Sequence, residues 1–203
     1  MAAESPSTIP VLQLKKVDSA RKNFIAGEPR NLFYLVATEL IDLSRKKITK
    51  KVSVAQALAV LLQTWNVSFY RFRGGFHEDD LTKIEALLND HLAVLEKYRE
   101  RSIASLELGE RDDLRTLFGR FESALGAVGA AKRLHLLAPA FFPLWDRAIA
   151  KAYRVKCNGD GYIYFMRIAK EQCRDLTEQG APWPDLLKAV DEYNYCAYTM
   201  KTN

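Results

Sequence analysis

A chain of 203 residues is long enough to bury a sizeable core without disulfide or metal staples. With 48% hydrophobic and 27% charged residues, 10 Gly and 7 Pro, its composition excludes disordered, collagen-like and low-complexity classes. A net charge of +5 gives a mild attraction to polyanions and suits a strongly acidic partner poorly.

Residues 1–12 are rich in Ser, Thr and Pro and read as a flexible tail without the basic start and apolar stretch of a secretory signal. No apolar run reaches the roughly 20 residues that span a bilayer, so the expectation is a soluble, cytoplasmic protein with no membrane partner, nucleoid-associated in a prokaryote. From residue 13 onward the apolar periodicity is helical. Phe33, Val36, Leu40 and Leu43 form one stripe, Leu81, Ile84, Leu88, Leu92 and Leu95 a second, and Leu114, Leu117, Phe121 and Leu125 a third. Ser53 to Gln56 reads as a capping box, which starts a central helix at Val54 that runs to about Phe69. Further helices are expected over Trp145 to Val155, Tyr162 to Leu176 and Asp185 to about Tyr198. Strand signals are weak, no repeat is visible, and the breaks are too short for an interdomain linker, so 13–203 reads as a single all-α domain. Asn158 to Gly161 lacks the ligand spacing of a calcium loop and reads as a turn and helix start. Cys157, Cys173 and Cys196 are odd in number and widely spaced, which fits reduced thiols and argues against zinc or an iron–sulfur cluster.

The segment from Leu125 to Val155 carries the most chemistry. It reads as a helix ending at Gly126, a tight turn through Gly129, a second helix opening at Ala130 with Lys132 in its first turn, a Pro-bounded loop, and a third helix capped by Asp146. Glycine in such a turn lets a nucleic-acid backbone approach closely, and free N–H groups at a helix start favour a phosphate oxygen.

These residues resemble the helix-hairpin-helix DNA glycosylases, the 8-oxoguanine glycosylase and endonuclease III-like enzymes of base-excision repair. The hairpin is Leu125-Gly-Ala-Val-Gly129, the Lys is Lys132, and the acid is Asp146 in Phe-Pro-Leu-Trp-Asp. Leu61 to Asn66 is similar to the segment with which that family fills the gap left by an extruded nucleotide. The hairpin lacks the family's usual Pro, and fourteen residues separate Lys132 from Asp146, a few fewer than usual. The resemblance implies a helical bundle in two lobes around a cleft, with the hairpin region at 113–155. It implies cleavage of a damaged purine such as 8-oxoguanine from double-stranded DNA by a monomer that needs no cofactor and no metal. A carboxylate such as Asp146 would stabilise oxocarbenium character on the sugar. Lys132 would capture C1′ as a Schiff base and so add lyase chemistry, which requires an amine pKa below the ordinary value of about 10.4.

A glycosylase must hold its target base outside the duplex. Trp65, His135, Phe142 and Trp145 are candidates to line that pocket, although aromatics and His at helical spacing also serve simply to pack. Gln63 and Asn66 either insert toward the base stack or cap a helix end. Candidate phosphate contacts are Gly126, Gly129 and Ala130 of the hairpin, Lys46, Lys47, Lys50 and Lys51 of one basic run, and Arg71 and Arg73 before Gly74, against the alternative that the charges are solvated loops. Two other functions compete: a non-catalytic helix-hairpin-helix DNA-binding module, and a helical protein-interaction module.

Overall fold

The computed structural model describes residues 11–29, 31–65, 67–72 and 74–200, the side chains of 68 and 69 excepted, and contains no strand among the described residues. The order is α1 Leu14–Gly27, α2 Asn31–Arg45, α3 Val54–Trp65, α4 Val67–Arg71, α5 Glu78–Arg99, α6 Arg111–Leu137, α7 Arg147–Ala152, α8 Gly159–Glu178 and α9 Leu186–Asn194. The all-α reading therefore holds. Among the described residues, no helix is long and apolar enough to cross a membrane.

Local chemistry sets most element boundaries. The Ser53 backbone N–H donates to Gln56 Oε1 at 2.9 Å and the Gln56 N–H to Ser53 Oγ at 3.2 Å, so the capping box starts α3 where expected. In α5, the acids Glu78, Asp79 and Asp80 occupy the first turn and Lys97 and Arg99 the last, which complements the helix dipole at both ends. Asn158 caps α8 by accepting from the Gly161 N–H at 3.1 Å, in keeping with a turn and helix start. A β-carbon on Gly161 would lie 1.8 Å from the Lys156 carbonyl oxygen, so only glycine fits there.

Other boundaries differ from expectation. α3 ends at Trp65 rather than near Phe69, and α4 follows as a separate short helix. The Trp65 carbonyl accepts from Lys132 Nζ, so a side chain from α6 takes a place that helix continuation would otherwise fill. The break within α6 lies at Gly126 alone, whose φ of 69° and ψ of 163° belong to a region essentially restricted to glycine. Gly129 and Ala130 are buried inside the helical segment 127–137, so the turn does not pass through Gly129. Leu12, assigned to the tail from sequence, is 2% exposed, and its carbonyl accepts from Gln179 Nε2 at 2.7 Å. In α2 the core face is Tyr34, Ala37 and Ile41, whereas Phe33 and Val36 of the expected stripe are exposed. The physical reason is that α2 is apolar over most of its circumference, so periodicity does not single out one face.

One hydrophobic core runs through the molecule. Leu114, Leu117, Phe121 and Leu125 of α6 and Phe165, Ala169, Cys173 and Leu176 of α8 are all buried, as their spacing requires. Trp145 lies at the centre, edge-on to Tyr162 at 5.2 Å and stacked on Phe165 at 5.7 Å. The three cysteines are free, and burial pushes the Cys173 thiol up to about 12, away from reactivity. α1 and α9 are clamped together by Arg21, which donates to both carboxylate oxygens of Asp185 at 3.0 Å and pairs with Glu192 at 3.0 Å.

Candidate active site

A cavity of about 180 Å³ lies where the C-terminal ends of α1 and α3 meet α6, the start of α7 and α9. Its aromatic lining is Phe24, Trp65, Trp145 and Tyr195, and its charged lining is Glu28, Lys132, Asp146, Lys188, Asp191 and Glu192. Lys132 and Asp146, fourteen residues apart in sequence and on different elements, thus reach the same small space.

Asp146 is held at both oxygens. As N-cap of α7 its Oδ1 accepts from the Ile149 N–H at 2.9 Å, and its Oδ2 accepts from the Thr199 hydroxyl at 2.7 Å. Thr199 closes a π-helical turn, Tyr195–Thr199, that continues α9. Lys132 sits on the segment after the Gly126 break, half-buried, its ammonium donating to the Trp65 carbonyl. Trp65 in turn stacks on Tyr34 at 5.4 Å with the ring planes 9° apart.

The wall contributed by α1 and α9 escaped the sequence reading. Lys188 Nζ pairs with Glu192 Oε1 at 3.1 Å and lies 4.5 Å from the ring centroid of Phe24 and 4.8 Å from that of Tyr34. The Tyr195 hydroxyl donates to Glu28 Oε2 at 2.5 Å. Asp191 accepts the Leu144 N–H at Oδ1, 3.1 Å away, and burial pushes its carboxyl well above the usual carboxylate range. A signal for this wall does exist. Leu187, Val190, Asp191 and Asn194 share one helical face, which sets an acid and an amide among apolar positions.

The other residues singled out from sequence take different places. His135 is fully buried and does not line the cavity. Its Nδ1–H donates to the Phe142 carbonyl at 2.8 Å, which leaves Nε2 to accept from the Tyr34 hydroxyl at 3.0 Å. Burial lowers its pKa to about 3, so it is neutral. Phe142 packs in the core against Tyr98 and Phe141 at 5.3 and 5.1 Å, and serves the site only by placing its carbonyl under His135. Gln63 is exposed on α3 and also lies off the cavity. Asn66 and Arg73 lie outside the described residues. Lys46, Lys47, Lys50 and Lys51 are all exposed, but they precede α3, whose twelve residues put about 17 Å of helix between them and Trp65. Arg71 is exposed, 6.0 Å from the ring of the equally exposed Phe72. The exposed cations nearest in sequence to Asp146 are Arg147, Lys151 and Arg154, a group the sequence reading passed over. No group of residues suited to hold a metal ion occurs among the described residues.

No protein-family model matches the chain, and neither does any curated protein or solved structure.

Proposed function

We propose that this protein is a DNA base-excision glycosylase of the helix-hairpin-helix kind, in two lobes around a cleft, with Lys132 and Asp146 as its catalytic residues. The observation that carries the reading is their convergence on one aromatic-walled cavity, together with a helix break at Gly126 that only glycine can make. In this reading a damaged purine turned out of the duplex enters between the aromatic side chains. The N-glycosidic bond breaks with its electron pair leaving on the base, and the positive charge left on the sugar is stabilised by the Asp146 carboxylate. Lys132, released from the Trp65 carbonyl and having passed a proton to the departing base, adds its lone pair to C1′. Opening of the C1′–O4′ bond, with a proton moved from the nitrogen to O4′, gives the Schiff base from which β-elimination nicks the strand. The hairpin segment and the cations of α7 contact phosphates, without a cofactor.

Borohydride trapping on duplexes carrying a panel of lesions, 8-oxoguanine among them, tests the proposal. Wild type is expected to form a covalent adduct that Lys132→Gln abolishes, and Asp146→Asn is expected to slow base release by at least a hundredfold, the scale of losing one electrostatic stabiliser. Salt-sensitive DNA binding with neither trapping nor base release on any lesion would overturn the enzyme assignment and leave a non-catalytic DNA-binding module.

A further inference from the structure

The positive charge of the chain is concentrated in one stretch. From Leu43 to His77 there is no acidic residue, and seven lysines and arginines lie between Arg45 and Arg73, while the remaining 23 bases of the chain are outnumbered by its 25 acids. Arg45 pairs with Glu96, but Lys46, Lys47, Lys50, Lys51 and Arg71 are exposed and form no ion pair with a described residue. Two large apolar side chains stand among these cations: Ile48 is 67% exposed and Phe72 83%. The end of α2 presents the first of them. The Lys47 N–H donates to the Ser44 carbonyl and the Ile48 N–H to the Leu43 carbonyl, each at 3.0 Å, with Lys47 in the left-handed region at φ 56°. Such a turn commonly folds its next apolar residue back onto the helix, yet Ile48 stays in solvent. The loop of Ile48 leads into α3, and Phe72 follows the short α4 into which α3 passes. Between them the solvent stripe of α3, Gln56, Val60 and Gln63, carries no charge.

We infer that this acid-free stretch rests against an anionic bilayer surface, with Ile48 and Phe72 entering the boundary of headgroups and acyl chains and the lysines meeting the anionic headgroups. Clustered basic residues beside protruding apolar side chains are the composition that such a surface attracts. The inference stands apart from the glycosylase reading, because none of these side chains lines the cavity. The contact is peripheral. The absence of a membrane partner expected from sequence rests on the length of apolar runs, which bears on spanning a bilayer and not on resting against one. Other occupants fit the stretch less well. A phosphate backbone pairs with the lysines but offers nothing to an aliphatic tip such as Ile48. A second copy of the chain would set one acid-free stretch against another. The core of a protein interface is packed, apolar and poor in lysine, whereas Ile48 and Phe72 stand singly with about 17 Å of helix between their loops. A fluid surface moulds itself around each tip separately.

Co-sedimentation of the full chain with vesicles tests this, using phosphatidylcholine alone and phosphatidylcholine with about one third phosphatidylserine. Wild type is expected to bind the anionic vesicles at least tenfold more tightly than the neutral ones, and salt is expected to weaken that binding. Replacing Lys46, Lys47, Lys50 and Lys51 with Gln is expected to weaken it by about fivefold for each lysine, the worth of one basic residue at such a surface. The double variant Ile48→Ser, Phe72→Ser keeps every charge and is expected to weaken it at least tenfold. Both side chains are exposed, so this variant keeps its fold, which circular dichroism checks. Binding to neither vesicle, equal binding to both, or a folded double variant that binds anionic vesicles as wild type does would overturn the inference. The last result, joined to a loss of duplex DNA binding in the lysine variant, would assign the stretch to a nucleic-acid backbone instead. Sedimentation velocity without lipid reads the remaining occupant: wild type is expected to be monomeric, and a dimer that the double variant dissolves would give the two apolar tips to a second copy and overturn the lipid assignment.

Discussion

His135 remains uncharged wherever the fold is intact, and this has a thermodynamic consequence. An unfolded chain takes up the imidazole proton near pH 6.5, whereas burial holds the folded group to about 3. The stability carried by the neutral imidazole is therefore complete above about pH 6.5 and is lost as pH falls toward 3. Between pH 6.5 and pH 5 the loss is about 2 kcal/mol, at about 1.4 kcal/mol for each pH unit. Asp191 acts in the opposite sense, because its raised carboxyl takes up a proton in the folded state first, so the measurement belongs in the Asp191→Asn background. Urea unfolding across that range is expected to show the decline, and adding His135→Gln is expected to flatten it. An unchanged slope would mean that His135 is not the neutral donor to Phe142. Arg133 is a companion case. Its guanidinium is wholly buried near Tyr70 and Asp80, with its pKa lowered to about 10 by burial, although an arginine directly after Lys132 reads in sequence as a solvent-facing position.

At the scale of elements, the break in α6 decides where Lys132 points. Gly126 adopts a backbone conformation that costs an L-residue about 1–3 kcal/mol, and without the break α6 would run straight past the cavity. Gly126→Ala is expected to lower the melting temperature by about 2–4 °C for each kcal/mol and to abolish lysine trapping, while Gly119→Ala, at a helical position with open space beside it, is expected to do neither. The elements differ in how much of them can be read from sequence. α8 and the part of α6 before Gly126 alternate apolar and charged positions cleanly, so their buried faces follow from spacing. From Gly129 to Leu137, by contrast, almost every position of α6 is buried, Arg133 and His135 included. α2 does not alternate cleanly, because Leu32, Phe33, Leu35 and Val36 are apolar and exposed beside the buried Tyr34 and Ala37. That Lys132 and Asp146 belong to one neighbourhood was legible because motif spacing is local, and both line the cavity. The opposite wall was not, since Glu28 and Tyr195 meet across 167 residues of chain, and no short-range pattern announces such a meeting.

Over the whole molecule, the net charge of +5 conceals an uneven distribution. The cavity is lined by four carboxylates against two lysines, so the positive character that attracts a polyanion lies outside it. Two exposed cation groups compete for that role: Lys46, Lys47, Lys50 and Lys51, a helix length from Trp65, and Arg147, Lys151 and Arg154, which follow Asp146. Replacing the second group with Ala is expected to weaken duplex binding more than replacing the first, and to reduce the slope of log K against log salt by about 0.9 for each phosphate that is no longer neutralised. Salt titrations of the two multiple variants measure this, and a larger effect from the lysine loop would move the duplex to the other end of α3.

The clamp between α1 and α9 also sets an order of events. It joins residues some 165 positions apart, among the longest loops the chain closes, whereas α2 with α3 and the two halves of α6 form from near neighbours. Lys132 and Asp146 lie fourteen residues apart, whereas Glu28 meets Tyr195 only across most of the chain, so loop-closure entropy is expected to make that wall the last part of the cavity to form. In the glycosylase reading, a chain that has collapsed but not yet docked these two helices would carry Lys132 and Asp146 without the wall that holds a base against them. Competence to bind therefore reports completion of the fold.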